Sequence, residues 1–435
     1  MAVSGHERNM EPTHGDEGDL RQLQDSRLVE TVARAYEDVP YYRDRLDDHG
    51  VSPEDVRGVD DVETLPFTTA SAFAETYPDG LFAVDRAAIR RIHASSGTTG
   101  KPKIIGYSDA DLDVWKEVMA RGLAAAGVEP GDTFQNMAGY GLFTGGLGVH
   151  DAVEHLGATV VPTGSGRTQR QIELMVDLGT DAIHCIPSYG LYLAETAEEM
   201  GYDPADLPVS TVVYGGEAST EPMRESLEAR LGATAIDNYG LSEIIGPGVA
   251  IECAEAQDGL HVWEDHFYPE IIDPETGEPV PEGEEGELVL TTLTKEAMPM
   301  LRYRTGDVTS FVPGECACGR GFRRIDNITG RADGRLSVRG VNVYPGEIES
   351  VALEFEEVAP FYRIDLRREG TLDTIEVTVE RERDWNGDVA ELEARLRKRL
   401  SNVLALTPEA VTVAEPGTIE RTEVGKAQRV YDHRD

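Results

Sequence analysis

The sequence predicts an α/β protein. It reads as a large N-terminal α/β domain, with a parallel βαβ core and a β-rich subdomain, followed by a small α+β C-terminal domain. Three observations carry this. Short apolar runs alternate with helix-length amphipathic segments through the first half, the rhythm of βαβ units and a parallel sheet. Around His261 the pattern becomes strand-rich, with Pro, Gly and Glu turns through Leu293. A third regime of strands and helices starts near Asp333, and a boundary between Gly330 and Gly340 separates the large domain from the small one.

The elements follow in order. Residues 1–19 read as a disordered leader. Residues 20–46 place Leu23, Leu28, Val32 and Ala35 at helical spacing, predicting one or two helices. A strand at 89–94 runs into Ser95-Ser96-Gly97-Thr98-Thr99-Gly100-Lys101, and a second strand follows at 103–107. Ser108 with Asp109 and Asp111 behind it is a helix start with acids in the first turn. Apolar runs at 159–162, 181–185, 210–214 and 233–237 predict strands, spaced by amphipathic segments such as 169–178 and 220–231. Beyond the boundary come a strand at 336–339, a helix from Pro345, a hairpin at 369–370, a helix at 389–404 and a last strand near Val411. The predicted domains are therefore 20–332 and 333–435, and no internal repeat is evident.

Composition narrows the function. The 435 residues hold 81 acidic and 40 basic side chains, a net charge of −41. Such a surface repels a polyanion, which argues against a nucleic-acid partner. No 18-residue apolar run exists to span a membrane, and the polar first twenty residues lack a secretory apolar core. Four Cys are too few for a disulfide framework at this length. The expectation is a cytoplasmic enzyme acting on small molecules; composition leaves the oligomeric state open, a dimer included. Only six of the 40 basic residues are Lys. Acidity this extreme with so little Lys predicts a protein built for molar salt, where the Debye length is about 3 Å and carboxylate repulsion is screened. The competing reading is an ordinary acidic enzyme whose charge serves solubility.

Residues 95–103 pack hydroxyls, glycines and two Lys into nine positions. Gly lets backbone N–H groups approach phosphate oxygens, Ser and Thr donate hydrogen bonds, and Lys brings charge. The Gly spacing is not that of a P-loop, and a strand rather than a helix follows. The segment reads as a phosphate-gripping loop of another kind, with a Ser/Gly-rich hairpin turn as the bland alternative.

Ser-Ser-Gly-Thr-Thr-Gly-Lys-Pro-Lys resembles the signature loop of the adenylate-forming acyl-CoA synthetases. Six further stretches resemble the phenylacetate–coenzyme A ligase branch: Ile92-His93-Ala94 leading into the loop, 139–146, Tyr239-Gly240-Leu241-Ser242-Glu243 on to Gly246-Pro247-Gly248, 263–267, 302–307 and 339–343. The match runs in order from about residue 20 to the end. It implies an AMP-forming ligase that activates an aryl-acetic acid with ATP, Mg²⁺ and coenzyme A, with the C-terminal domain as a lid hinged at Asp333. By that resemblance, Ser95, Ser96, Gly97, Thr98, Thr99, Gly100 and Lys101 hold phosphates. Gly215, Gly216, Glu217, Tyr239, Gly240 and Ser242 border the nucleotide, with the Tyr239 ring facing adenine. Glu243 would bind Mg²⁺, Asp307 the ribose and Arg331 the phosphates, while Lys426 would contact the carboxylate and α-phosphate. Gly340 lies in the segment that resembles the pantetheine channel. Tyr140, Phe143, Ile245, Gly246 and Pro247 are the expected acyl-pocket wall, though core packing explains Phe143 and Ile245 equally well. Scarcity strengthens the lysine reading: where Arg has replaced most Lys, a persisting Lys does what a planar guanidinium cannot.

Cys316-Ala317-Cys318 with Cys253 and His261 could make a tetrahedral Zn²⁺ site, or could be reduced thiols near a histidine. Two further functions stay open: a synthetase that stops at an AMP adduct, and a nucleotide sensor without turnover. Intact Glu243, Asp307 and Lys426 weigh against the sensor.

Overall fold

The computed structural model describes residues 17–95, 101–331, 336–339, 341–369, 372–404, 406–423 and 426–434. Ser96, Gly97, Thr98, Thr99, Gly100, Asp333, Gly340 and leader residues 1–16 lie outside them.

The chain opens with α1 (Glu17–Asp38) and α2 (Pro40–His49), which bury Leu28, Val32, Ala35, Tyr42 and Leu46. The first helix begins at Glu17, so the last residues of the expected leader are helical. After α3 (Ser71–Glu75), β1 (Arg91–Ser95) and β2 (Lys103–Tyr107) form an antiparallel hairpin in which Ser95 faces Lys103. Next is α4 (Asp109–Ala125), closed by a capping box. Ser108 Oγ accepts from the Asp111 N–H at 3.1 Å, and Asp111 Oδ2 accepts from the Ser108 N–H at 2.8 Å.

The alternating core follows: β3 (Thr133–Asn136), α5 (Gly145–Leu156), β4 (Thr159–Val161), α6 (Thr168–Leu178), β5 (Ala182–Cys185), α7 (Pro187–Glu199), β6 (Thr211–Tyr214), α8 (Glu221–Leu231) and β7 (Thr234–Leu241). These five strands pair in parallel in the order β7-β6-β5-β3-β4. β8 (Gly246–Ile251) and β9 (Leu260–Val262) continue the sheet antiparallel beyond β7. β10 (Phe267–Ile272), β11 (Gly286–Thr292) and β12 (Tyr303–Thr309) start a four-stranded antiparallel sheet. β13 (Phe311–Val312) and β14 (Arg324–Ile325) return to the edge of the large sheet, making it nine-stranded, and β15 (Gly330–Arg331) pairs with β12.

The C-terminal part holds β16 (Leu336–Val338), β17 (Val341–Val343), α9 (Pro345–Leu353), β18 (Val358–Glu369), β19 (Leu372–Arg381), α10 (Val389–Val403), β20 (Ala410–Ala414) and β21 (Val430–Asp432). Its sheet runs β20-β19-β18-β21. Ile364, Leu366, Val377 and Val379 of that sheet pack with Ile348 of α9 and Leu392, Leu396 and Leu400 of α10 in one apolar cluster. A second cluster is shared between the two parts: Ala359 and Phe361 of β18 pack with the α6–α8 face of the large sheet.

The strand at 133–136 was absent from the sequence reading because Thr-Phe-Gln-Asn holds one apolar residue. Its Gln135 and Asn136 are nonetheless buried, satisfied by side-chain hydrogen bonds. β7 runs four residues past the predicted 233–237, and that extension carries Tyr239 and Gly240.

Candidate active site

The candidate nucleotide residues collect where the parallel strands end, facing the C-terminal part. β6 runs into Gly215-Gly216. A side chain on Gly215 would put its Cβ 2.2 Å from the Asn238 carbonyl oxygen, and Gly216 sits at φ +83°, so both positions require glycine. The turn delivers Glu217, whose Oε1 accepts from the backbone N–H of Ala427 at 2.6 Å. The residue next to Lys426 is thus tied to the rim of the large sheet.

β7 supplies the neighbouring edge. Gly240 passes so close to β8 that a Cβ there would lie 2.0 Å from the Gly246 oxygen. The Tyr239 hydroxyl donates to Asp307 Oδ2 at 2.7 Å, and Arg331 Nη1 donates to Asp307 Oδ1 at 3.0 Å. Burial pushes the Asp307 carboxyl above the usual carboxylate range, with Arg331 opposing. Burial likewise raises the Tyr239 phenol, and Asp307 raises it further. The ring expected to face adenine is therefore fixed by the carboxylate expected to hold the ribose.

Glu243 forms a second cluster. Its Oε1 accepts from Lys103 Nζ at 2.5 Å and from the Tyr303 hydroxyl at 3.2 Å. Lys295, fully buried, donates to the Glu243 carbonyl at 2.9 Å, and desolvation brings its ammonium down to about 8. Ser242 shares a hydrogen bond with Thr144 at 3.0 Å. Lys101 lies 4.7 Å over the Tyr77 ring, and Ser95 Oγ is buried without a partner among the described residues. Lys426 is exposed and lines a cavity of about 380 Å³ with Glu217, Thr220, Ile328, Glu349 and Arg429.

The expected acyl-pocket residues part company. Tyr140 and Phe143, 37% and 51% exposed, sit on the loop between β3 and α5. The Tyr140 hydroxyl accepts from Asn136 Nδ2 at 3.0 Å and contacts His150 Nδ1 at 3.1 Å. Behind it His184 Nδ1 meets Asn136 Oδ1 at 3.0 Å, and burial holds that imidazole near 4, hence neutral. Ile245 is buried in the main core. Gly246 abuts the Trp115 ring, and the Pro247 carbonyl accepts from Trp115 Nε1 at 2.9 Å.

Lys295, Tyr303 and the Asn136–His184 pair were not singled out from sequence as site residues. Lys295 is one of the six Lys, as Lys426 is, but no glycine motif marks it in the sequence.

Cys253, His261, Cys316 and Cys318 do converge, their ligand atoms all within 4.8 Å of one another.

Comparison with known proteins decides the family. The profile described as AMP-binding enzyme matches residues 31–294, and that of the AMP-binding enzyme C-terminal domain matches 340–434. A phenylacetate-coenzyme A ligase of Thermus thermophilus is 48% identical, over 95% of this chain and 97% of the relative. One of Escherichia coli is 45% identical, over 96% and 95%. The chain belongs to the phenylacetate–coenzyme A ligase family. It is an AMP-forming acid–thiol ligase with the adenylate-forming fold. Among solved structures, 2-hydroxyisobutyryl-CoA ligase in its postadenylation state, bound to an acyl-AMP, superposes with a TM-score of 0.91 at 26% identity, covering 98% of this chain and 92% of that one. The same ligase with CoA in its thioesterification state superposes at 0.72 over the same shares.

Proposed function

We propose that this ligase converts phenylacetate, ATP and coenzyme A into phenylacetyl-CoA, AMP and pyrophosphate. The identity of 45–48% to four phenylacetate-coenzyme A ligases, over nearly the whole chain, carries the reading. The half-exposed aromatic pair Tyr140 and Phe143, beside the Asn136–His184 network, supports an aryl group in the acid pocket.

A carboxylate is a poor electrophile at neutral pH. Its oxygen attacks the α-phosphorus of ATP, and the α–β bridging oxygen leaves with pyrophosphate. In this reading Asp307 accepts the ribose hydroxyls, with Tyr239 and Arg331 holding it in place. Lys426 reaches into the lid cavity to neutralise charge growing at the acid and α-phosphate. The free thiol of coenzyme A then loses its proton and attacks the acyl carbon, and AMP departs with one oxygen of the original acid. The Glu243 carboxylate offers the hard oxygen that Mg²⁺ requires, and its Lys103 and Tyr303 donors converge on Oε1. A bound Mg²⁺ would neutralise phosphate charge; Lys103 and Tyr303 keep the carboxylate oriented.

The superposition scores favour a lid set for the adenylation side of the cycle. Thioester formation then requires the C-terminal part to swing away from Glu217, carrying Lys426 out and the Gly340 segment in. We also read the protein as cytoplasmic and adapted to molar salt. Among the described residues no helix is long and apolar enough to cross a membrane.

Purified enzyme with ATP, Mg²⁺, coenzyme A and a panel of aryl and short aliphatic acids tests the substrate. The expected result is equal yields of AMP and thioester, highest with phenylacetate. AMP without thioester would favour the adduct-forming synthetase, and no AMP with any acid would favour the sensor. Lys426→Ala should lower acid-dependent ATP–pyrophosphate exchange by about 10²–10³, the usual cost of one preorganised charged donor. It should spare conversion of supplied phenylacetyl-adenylate to thioester.

A further inference from the structure

We propose that Cys253, His261, Cys316 and Cys318 bind one structural Zn²⁺ ion that fastens the loop between β13 and β14 to the ends of β8 and β9. The site lies outside the nucleotide residues described above, and the proposal does not depend on which acid the enzyme activates.

Three separate stretches of chain build it. Cys253 stands two residues past the end of β8, His261 is the middle residue of β9, and Cys316 and Cys318 lie on the β13–β14 loop. The pairing that joins these segments is direct: His261 is opposite Ile251 on one side and Arg324 on the other. The loop is tightened by a turn in which the Gly319 N–H donates to the Cys316 carbonyl at 3.0 Å, with Gly319 at φ +76°. Cys253, His261 and Cys316 are buried, and Cys318 is partly exposed.

The geometry suits a tetrahedral ion. With Zn–S near 2.3 Å and Zn–N near 2.0–2.1 Å, tetrahedral edges come to about 3.8 Å for S···S and about 3.5 Å for S···N. Cys253 Sγ and Cys316 Sγ are 3.7 Å apart, and Cys318 Sγ is 3.3 Å from His261 Nε2. A disulfide would need sulfurs near 2.05 Å, and all four cysteines are free. Three thiolates and an imidazole are a soft, borderline donor set that favours zinc over magnesium or calcium. Four protein ligands leave no open position, which marks a structural rather than a catalytic site. Each ligating thiol gives its proton to solvent as its Zn–S bond forms. The finished centre carries one net negative charge, and the Arg320 guanidinium, which interacts with Cys318 and pairs with Glu255 at 3.4 Å, lies beside it to compensate. Because the loop lies between β12, which bears Asp307, and β15, which bears Arg331, fastening it steadies the base of the lid connection.

Enzyme expressed in zinc-supplemented medium and purified without chelator tests this by elemental analysis. About one zinc per chain is expected, and Cys316→Ser should lose it and melt at lower temperature. As that variant could fail to fold, the wild type provides a second readout. Chelator-treated wild type reloaded with Co²⁺ should show thiolate-to-metal charge-transfer and tetrahedral d–d absorption. Thiol titration of native zinc-loaded enzyme should find its cysteines protected until the metal is removed. Wild type that carries no zinc, melts identically with and without chelator and shows no cobalt–thiolate spectrum would overturn the proposal. So would stoichiometric iron, or a Cys253–Cys316 disulfide in the native protein.

Discussion

Lys103 Nζ lies 2.5 Å from Oε1 of Glu243, although 140 residues separate them in the chain. One belongs to β2, the other to the segment after β7. The Tyr303 hydroxyl converges on the same oxygen at 3.2 Å. An ammonium this close pairs with a carboxylate that is otherwise buried and fixes its direction. Glu243→Gln should therefore raise the Mg²⁺ concentration needed for half-maximal pyrophosphate exchange roughly tenfold or more, a loss of at least ~1.4 kcal/mol. Lys103→Met should slow the same exchange, and the double variant should be less impaired than the product of the two. Independent, multiplicative losses would show that the pair does not act as a unit.

The C-terminal domain is tied to the large domain by a shared arginine. Arg421 pairs with Glu195 of α7 at 2.8 Å and with Glu380 of β19 at 2.7 Å, its guanidinium lying over the Phe361 ring. Glu195 belongs to the large domain, so Glu195→Gln loosens docking without disturbing the lid's own fold. The two side chains are only 12% and 10% exposed, so losing one charge of the pair costs about 2 kcal/mol or more. Pyrophosphate exchange should fall by more than about tenfold, while thioester formation from supplied adenylate should hold or rise. Equal loss of both half-reactions would contradict a docking role.

Glu252 shapes the pH dependence of stability. Burial raises its carboxyl to about 7, against the lowering effects of the Asp237 N–H and Arg224. Asp237 beside it is raised as well, by burial and then by Glu252. A folded value above the unfolded 4.5 means the stabilising proton is fully bound below about pH 4.5 and is lost as pH climbs through about 7. The ionised form then costs on the order of 3 kcal/mol. Glu252→Gln keeps an acceptor for the Asp237 N–H and removes the charge. Melting temperature should rise clearly at pH 8 and change little at pH 5; an equal shift at both would contradict the assignment.

Salt should matter to the whole fold. A net charge of −41 repels itself over a Debye length of about 10 Å near 0.1 M and about 3 Å at 1 M. Thermal melting in KCl should therefore climb steeply between those concentrations. A melting temperature indifferent to salt would leave the charge as a solubility device only.

The parallel core was legible because Ala-Ile-His-Cys and Thr-Val-Val-Tyr are compact apolar runs between amphipathic helices. β3 was not, since its buried Gln135 and Asn136 look polar until their partners Gln171, Tyr140 and the Gly146 carbonyl are known. β21 was missed because three residues carry no period; it exists by pairing in parallel with Ile364–Leu366 of β18. In the site, Glu243, Asp307 and Lys426 were visible as motif residues. Their mutual ties were not: Lys103 to Glu243 and Glu217 to the Ala427 backbone are contacts across the fold that no local spacing encodes.

The central claim is that the acid is activated at the α-phosphate as an acyl-adenylate before the thiol attacks. Phenylacetate labelled with ¹⁸O in both carboxylate positions tests it most directly, by mass spectrometry of the products of a complete turnover. One labelled oxygen should appear in the phosphate of AMP and the other in the thioester carbonyl. Unlabelled AMP, or label in inorganic phosphate formed together with ADP, would contradict the account.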